Sequence, residues 1–303
     1  MCYNNSEFEI RVIILGYLLI LLRSLTYNIE GVFVRGYGKK YGEGGLFFNA
    51  IISFFSMIYF IVSDRNGLNF PPELWFYGLI SCVFFAVGFY SMYAAYQYGS
   101  YIMTRMVSSF SMIIPLVYGL AFLKEPSTIF TYIGVFLIFA SLIVRNLGPD
   151  EKKEEKKTEG KFGKWLLHVM LTTVANGFIS VISKIQQVRF DDQCTNEFLV
   201  ISLGGSFLAL LIASFFKERN QMGYIIKHGT GFGLCAGVCN GITNILNVAV
   251  YLFLPVSLVT PLASGVSFVI SFLFTVFLYK EKFSKMQLAG LFLGIAAIVV
   301  LNI

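Results

Sequence analysis

The sequence predicts an all-α polytopic membrane protein: ten transmembrane helices arranged as two inverted five-helix repeats. Three observations carry that prediction. The composition is apolar and poor in charge, the chain divides into ten long apolar runs, and one stretch of the second half repeats a stretch of the first. Of the 303 residues, 56% are hydrophobic and only 13% charged, where a soluble domain carries about 25% charged residues. Mean hydropathy is +0.72. The net charge of +6 does not point to nucleic acid, because the basic residues sit in short loops between apolar runs rather than on a polar helix face interleaved with aromatics. The five cysteines, Cys2, Cys82, Cys194, Cys235 and Cys239, form no CxxC pair and no disulfide framework. The N-terminus, MCYNNSEFE, is acidic, and the run after it is too long for a signal-peptide core, so it reads as a first transmembrane helix.

The ten runs cover residues 11–34, 44–62, 73–97, 100–123, 127–147, 165–188, 197–216, 231–253, 256–279 and 286–302. Each is long enough to cross a hydrocarbon core of roughly 30 Å as a helix. Helices are expected because lipid offers no partners to open backbone groups. GPDEKKEEKKTEGKFGK is the strongly hydrophilic stretch and reads as a solvated linker. The organisation that follows is a first repeat over 1–147, a linker over 148–164 and a second repeat over 165–303.

The two halves align without a gap when 98–147 is laid on 254–303. Thr104 then meets Thr260, Ser108 meets Ser264 and Ser111 meets Ser267. Lys124-Glu125 meets Lys280-Glu281, Gly134 meets Gly290 and Asn146 meets Asn302. Apolar composition alone does not place two Lys-Glu pairs at the same point after a long apolar run. A repeat with an odd number of spans enters the membrane upside down the second time, an architecture whose binding site lies between the repeats near mid-depth.

The same residues carry a resemblance. YAAYQYGSYIMTRMVSSFSMIIPLVYGLAFLKEPS, residues 93–127, resembles the helix three to four signature of the drug/metabolite transporter superfamily, EamA-like branch, with Pro115 mid-helix and Glu125 at the end. VAVYLFLPVSLVTPLASGVSFVISFLFTVFLYKEKFS is similar and reaches Glu281, although its prolines, Pro255 and Pro261, come earlier. The resemblance implies a ten-helix carrier of small organic solutes and leaves the solute unnamed. Related small multidrug members use a carboxylate in the first helix; Glu30 lies in the first run, nearer its end.

The second half contains NGITNILN inside an apolar run. Asn240, Thr243, Asn244 and Asn247 fall at i, i+3, i+4 and i+7, one helical face about halfway along the eighth run, and Tyr251 continues it. The alternatives are interhelical glue, worth about 0.6 kcal/mol per contact, and a solute-lining wall; the number of amides favours the wall. Gly229, Gly233, Gly237 and Gly241 recur every fourth residue and allow close approach of a neighbouring helix. Tyr93 and Gln97, with Tyr90, are the candidates from the third run.

A charge at the membrane centre costs about 2.5–3.5 kcal/mol on insertion scales, so each one needs a reason. Arg23 is the candidate for an anionic solute group, and Glu30, seven residues on, is the proton-coupling candidate. Arg105 and Glu30 both lie toward the linker side of the membrane, so Arg105 is expected to pair with Glu30 or to line the cavity; Lys184, toward the opposite side, lines the cavity or snorkels. The serines and threonines of the ninth run and Gly290/Gly294 read as packing positions.

No catalytic signature is visible: the two histidines, His168 and His228, stand without HExxH or paired carboxylates, and no Walker sequence exists. The reading is a non-enzymatic secondary transporter of a small polar or zwitterionic metabolite. It works by alternating access, needs no cofactor or metal, and sits as a multi-pass protein in the plasma membrane. Its partners are the solute and the lipid bilayer. The alternatives are a lipid or lipid-linked sugar flippase and, from another class, a scaffold or receptor subunit. Most Lys and Arg lie in loops on the linker side, which places the linker in the cytoplasm and both termini outside.

Overall fold

The computed structural model describes residues 4–42, 44–64, 67–99, 101–125, 128–146, 162–191, 193–279 and 285–300. Most of the linker, and Lys280 with Glu281, lie outside the described residues. Apart from turns, short loops and two 3₁₀ turns, the described residues are α-helical, with no strand among them. The helices are α1 Asn4–Lys40, α2 Gly45–Ser63, α3 Pro72–Tyr98, α4 Tyr101–Ser109, α5 Ile113–Ala121, α6 Ile129–Asn146, α7 Phe162–Arg189, α8 Thr195–Lys217, α9 Met222–Val250, α10 Val256–Tyr279 and α11 Lys285–Val300. Seven are long and apolar enough to cross a membrane, and shorter apolar helices cover Val107–Ala121, Ile129–Ser141 and Leu288–Ala297.

Two helices differ from the expected runs. The fourth run is broken: a 3₁₀ turn at Phe110–Met112 separates α4 from α5. Pro115 explains the break, since it has no N–H for the carbonyl of Ser111 and its ring crowds that turn. In the eighth run, α9 starts at Met222, well before residue 231. Lys227 and His228 lower the apolarity of its first turns without interrupting the helix.

The chain forms two compact units: Met1–Thr26, Met112–Asp150 and Thr243–Ile303 in the first, Tyr27–Ser111 and Glu151–Ile242 in the second. Each draws on both halves of the sequence. In the first unit α6 packs along α11, and α10 packs on α5 and α11. A Cβ on Gly294 of α11 would lie 3.1 Å from the Phe268 ring and 3.5 Å from Ser141 Oγ, so this glycine is a packing position. Ser24 Oγ of α1 donates to Ala263 O of α10 at 3.2 Å.

In the second unit α3 packs on α7 and α8, and α2 on α8. The glycine ridge of α9 receives α2. A Cβ on Gly233 would lie 2.6 Å from Ile51 Cγ2, and one on Gly237 would lie 2.7 Å from both Ile52 O and Phe55 Cβ. Ser56 Oγ of α2 donates to Gly237 O at 2.8 Å, a bond that needs this approach. Gly237→Ala therefore pushes against backbone as well as a side chain. We expect a loss of about 1–3 kcal/mol, read as a lower melting midpoint in detergent.

Helix ends are closed across the halves. Gly44, the residue before α2, has no side chain with which to cap the helix. Instead the Glu218 carboxylate, just past α8, accepts from Leu46 N at 3.0 Å and Phe47 N at 2.9 Å. At the opposite ends, Asn196 Nδ2 near the start of α8 donates to Asp64 Oδ1 just past α2 at 3.3 Å. So α2 and α8 run antiparallel and are clipped at both ends. In the first unit Glu125, just past α5, accepts from Val256 N at 3.1 Å and Ser257 N at 2.8 Å at the start of α10. Each carboxylate meets backbone N–H groups that the helix leaves open, at its positive end.

Candidate functional site

The full length of α1 changes the position of Glu30. The apolar segment runs from Ile14 to Lys40, because YNIEGVFVRGYG continues the helix past residue 34. Glu30 is therefore near the middle of that segment and not near its end.

Around it the second unit assembles a buried polar cluster. Asn240 Nδ2 of α9 donates to Glu30 Oε1 at 3.2 Å. Asn240 Oδ1 lies 3.2 Å from the Ser56 hydroxyl, which shares its one proton between this oxygen and Gly237 O, and the amide's NH₂ faces the carboxylate. Glu30 Oε2 is buried without a hydrogen-bond partner among the described residues. Glu30 and Asn240 are 9% and 8% exposed. Arg105 of α4 donates from Nη2 to Tyr27 O at 3.0 Å. Its guanidinium carbon lies 4.0 Å from the centre of the Tyr27 ring and 5.9 Å from that of Tyr96, a cation–π setting that holds a charge out of water. Tyr27 stands three residues before Glu30 on α1, so Arg105 reaches the same stretch of that helix. Opposite charges, an amide and two tyrosine rings thus meet in one unit.

The other candidates separate. Tyr93 is buried at the start of α2, where a Cβ on Gly45 would meet its ring, and Gln97 abuts Gly38 of α1. Tyr90 diverges from them: its ring is 5.8 Å from that of His168 on α7. Lys184 Nζ donates to Gln187 Oε1 at 3.4 Å within α7.

The rest of the amide stripe belongs to the first unit. Because α9 begins at Met222, the stripe runs from just past mid-helix toward the C-terminal end, not around the centre. Thr243 Oγ1 donates to Thr26 Oγ1 at 2.8 Å, and Asn247 Nδ2 to the Tyr251 hydroxyl at 3.4 Å. Tyr251 does not continue a helical face. It stands in the turn after Val250, its ring in an apolar cluster with Ile20, Leu254 and Val259. Asn244 is half-buried, and Arg23 is a half-buried member of the first unit. Sequence reasoning missed Ser56 and Tyr27. The available signal was Ser53 and Ser56 three apart in an apolar run.

Long apolar helices around a buried set of charged and polar side chains define a multi-pass integral membrane protein. The profile of the EamA-like transporter family matches residues 14–147 and again 163–303; the chain belongs to that family, whose members are transporters. A solved structure described only as "Crystal structure of protein" is similar, with a TM-score of 0.68 at 13% identity over 94% of this chain and 98% of that one. At that identity the likeness shows the fold alone. No curated protein matches the chain.

Proposed function

We propose that the protein is a secondary carrier that moves a small zwitterionic metabolite across the plasma membrane by alternating access. The observation that carries the reading is that the second unit holds buried Glu30 with its Asn240, and Arg105 against Tyr27, three residues before Glu30 on α1. A charge buried in a membrane interior calls for a functional reason. Two of opposite sign, in one cluster, match an ammonium and a carboxylate on one solute. Arg105, rather than the Arg23 favoured by the sequence, is the anion contact in this reading, because it shares the cluster with Glu30. Glu30 also serves as the proton-coupling group.

The ten-span, inverted-repeat arrangement belongs to the same proposal. What supports it is the antiparallel pairing of α2 with α8 and of α5 with α10, each pair uniting one helix from either half, and a family match that falls in two blocks on either side of the linker.

The test is a thermal-shift screen of the purified full-length protein against zwitterions, with N-acylated and esterified counterparts that each lack one charge. A binder raises stability by mass action. The proposal expects zwitterions to shift the melting midpoint and both counterparts to fail, with Asn240→Leu weakening the response by about tenfold in apparent Kd. An equal response to the single-charge counterparts rejects the zwitterion assignment.

A further inference from the structure

We propose that the end of the second unit where α1 and α8 finish and α2 and α9 begin is a docking surface for anionic phospholipid headgroups. The segments converge there. Glu218 ties the end of α8 to the start of α2. The Tyr41 ring, one residue past α1, lies 6.2 Å from Tyr224 and 5.0 Å from His228 of α9. Five cations stand exposed on these segments: Lys39, Lys40, Lys217, Arg219 and Lys227. Glu218 is the carboxylate among the described residues here, and its oxygens already face backbone N–H groups; Glu43 lies outside the described residues.

Aromatic rings are set among the cations. Arg219 lies 5.0 Å from the centre of the Phe215 ring, and Lys40 Nζ lies 5.2 Å from that of Tyr41. Phe216 is 81% exposed and Tyr224 42%. Rings of this kind sit at headgroup depth, and long cationic side chains beside them reach the phosphate layer. A cluster of basic residues at a helix end is attracted to an anionic leaflet. The opposite end of the same unit is mixed in sign: Arg189 lies 3.7 Å from Glu73, with Asp64, Asp191 and Glu197 nearby in the chain. The charge complementarity to an anionic surface is therefore confined to one end, and it involves none of the groups assigned to the solute.

The experiment uses the full-length protein in mixed micelles titrated with phosphatidylglycerol or phosphatidylcholine, with retained lipids counted by native mass spectrometry. We expect retention of phosphatidylglycerol over phosphatidylcholine by about tenfold or more. The preference should collapse in a variant carrying Lys39→Gln, Lys40→Gln, Arg219→Gln and Lys227→Gln, and persist when the linker lysines Lys152, Lys153, Lys156 and Lys157 become Gln. High salt should erase it in the unmodified protein, a readout that does not depend on any variant folding. Equal retention of the two lipids overturns the proposal, as does a preference that survives salt or is lost equally in the linker variant. Displacement of the retained phosphatidylglycerol by inorganic phosphate at the same ionic strength overturns it in favour of a free anion.

Discussion

Glu30→Gln should abolish uptake driven by a pH gradient while leaving the protein folded. Glutamine has the shape of the neutral acid and can still accept from Asn240 Nδ2, the 3.2 Å bond that ties α1 to α9. It loses only the charge and the exchangeable proton. A hydrogen bond to a charged group contributes about 1.5–3 kcal/mol, so the affinity for a solute ammonium should fall roughly ten- to a hundredfold. Coupling to protons should vanish outright. The measurement is accumulation of labelled solute in proteoliposomes under an imposed pH gradient, with elution profile as the folding control. Gradient-driven uptake at the unmodified rate in well-folded Glu30→Gln would sink the assignment of this carboxylate to coupling.

The second large effect is on stability. Glu218→Gln replaces a charged oxygen that accepts from the start of α2 with an NH₂ that faces N–H. Two bonds, to Leu46 N and Phe47 N, are at stake. The position is half-buried, so we take the low end for charged hydrogen bonds and helix-end electrostatics together, about 2 kcal/mol. Glu125→Gln, facing Val256 N and Ser257 N, should behave alike. Thermal scans in detergent check both: unchanged midpoints for the two variants would show that solvent caps these helices equally well.

Much of the architecture was legible because lipid permits few solutions. Apolar runs located the helices, and Pro115 and the glycine ridge of α9 acted where their chemistry said they would. The start of α9 was missed because Lys227 and His228 near a helix end look like loop residues when only hydropathy is read. The position of Glu30 within α1 was misjudged for the same reason, since Arg35 and the glycines around it hid the last six residues of the helix, fewer than two turns. Glu125 was visible as part of a repeated Lys-Glu pair, yet its partner N–H groups lie 131 and 132 residues away, and no local pattern encodes that. Asn240 drew attention as one amide of a stripe. That Ser56 and Glu30 would both meet it depends on which faces of α1, α2 and α9 meet, and spacing within one helix does not determine that.

The cap on α2 has a consequence for biosynthesis. Leu46 and Glu218 are 172 residues apart, which at about 5–20 residues per second is on the order of 10–30 s of translation. For that interval the nascent first half sits in the bilayer with the opening turn of α2 unsealed. Maturation of this chain thus waits on its own late segments, and a ribosome stalled before Glu218 would leave an intermediate that membrane quality-control proteases can recognise.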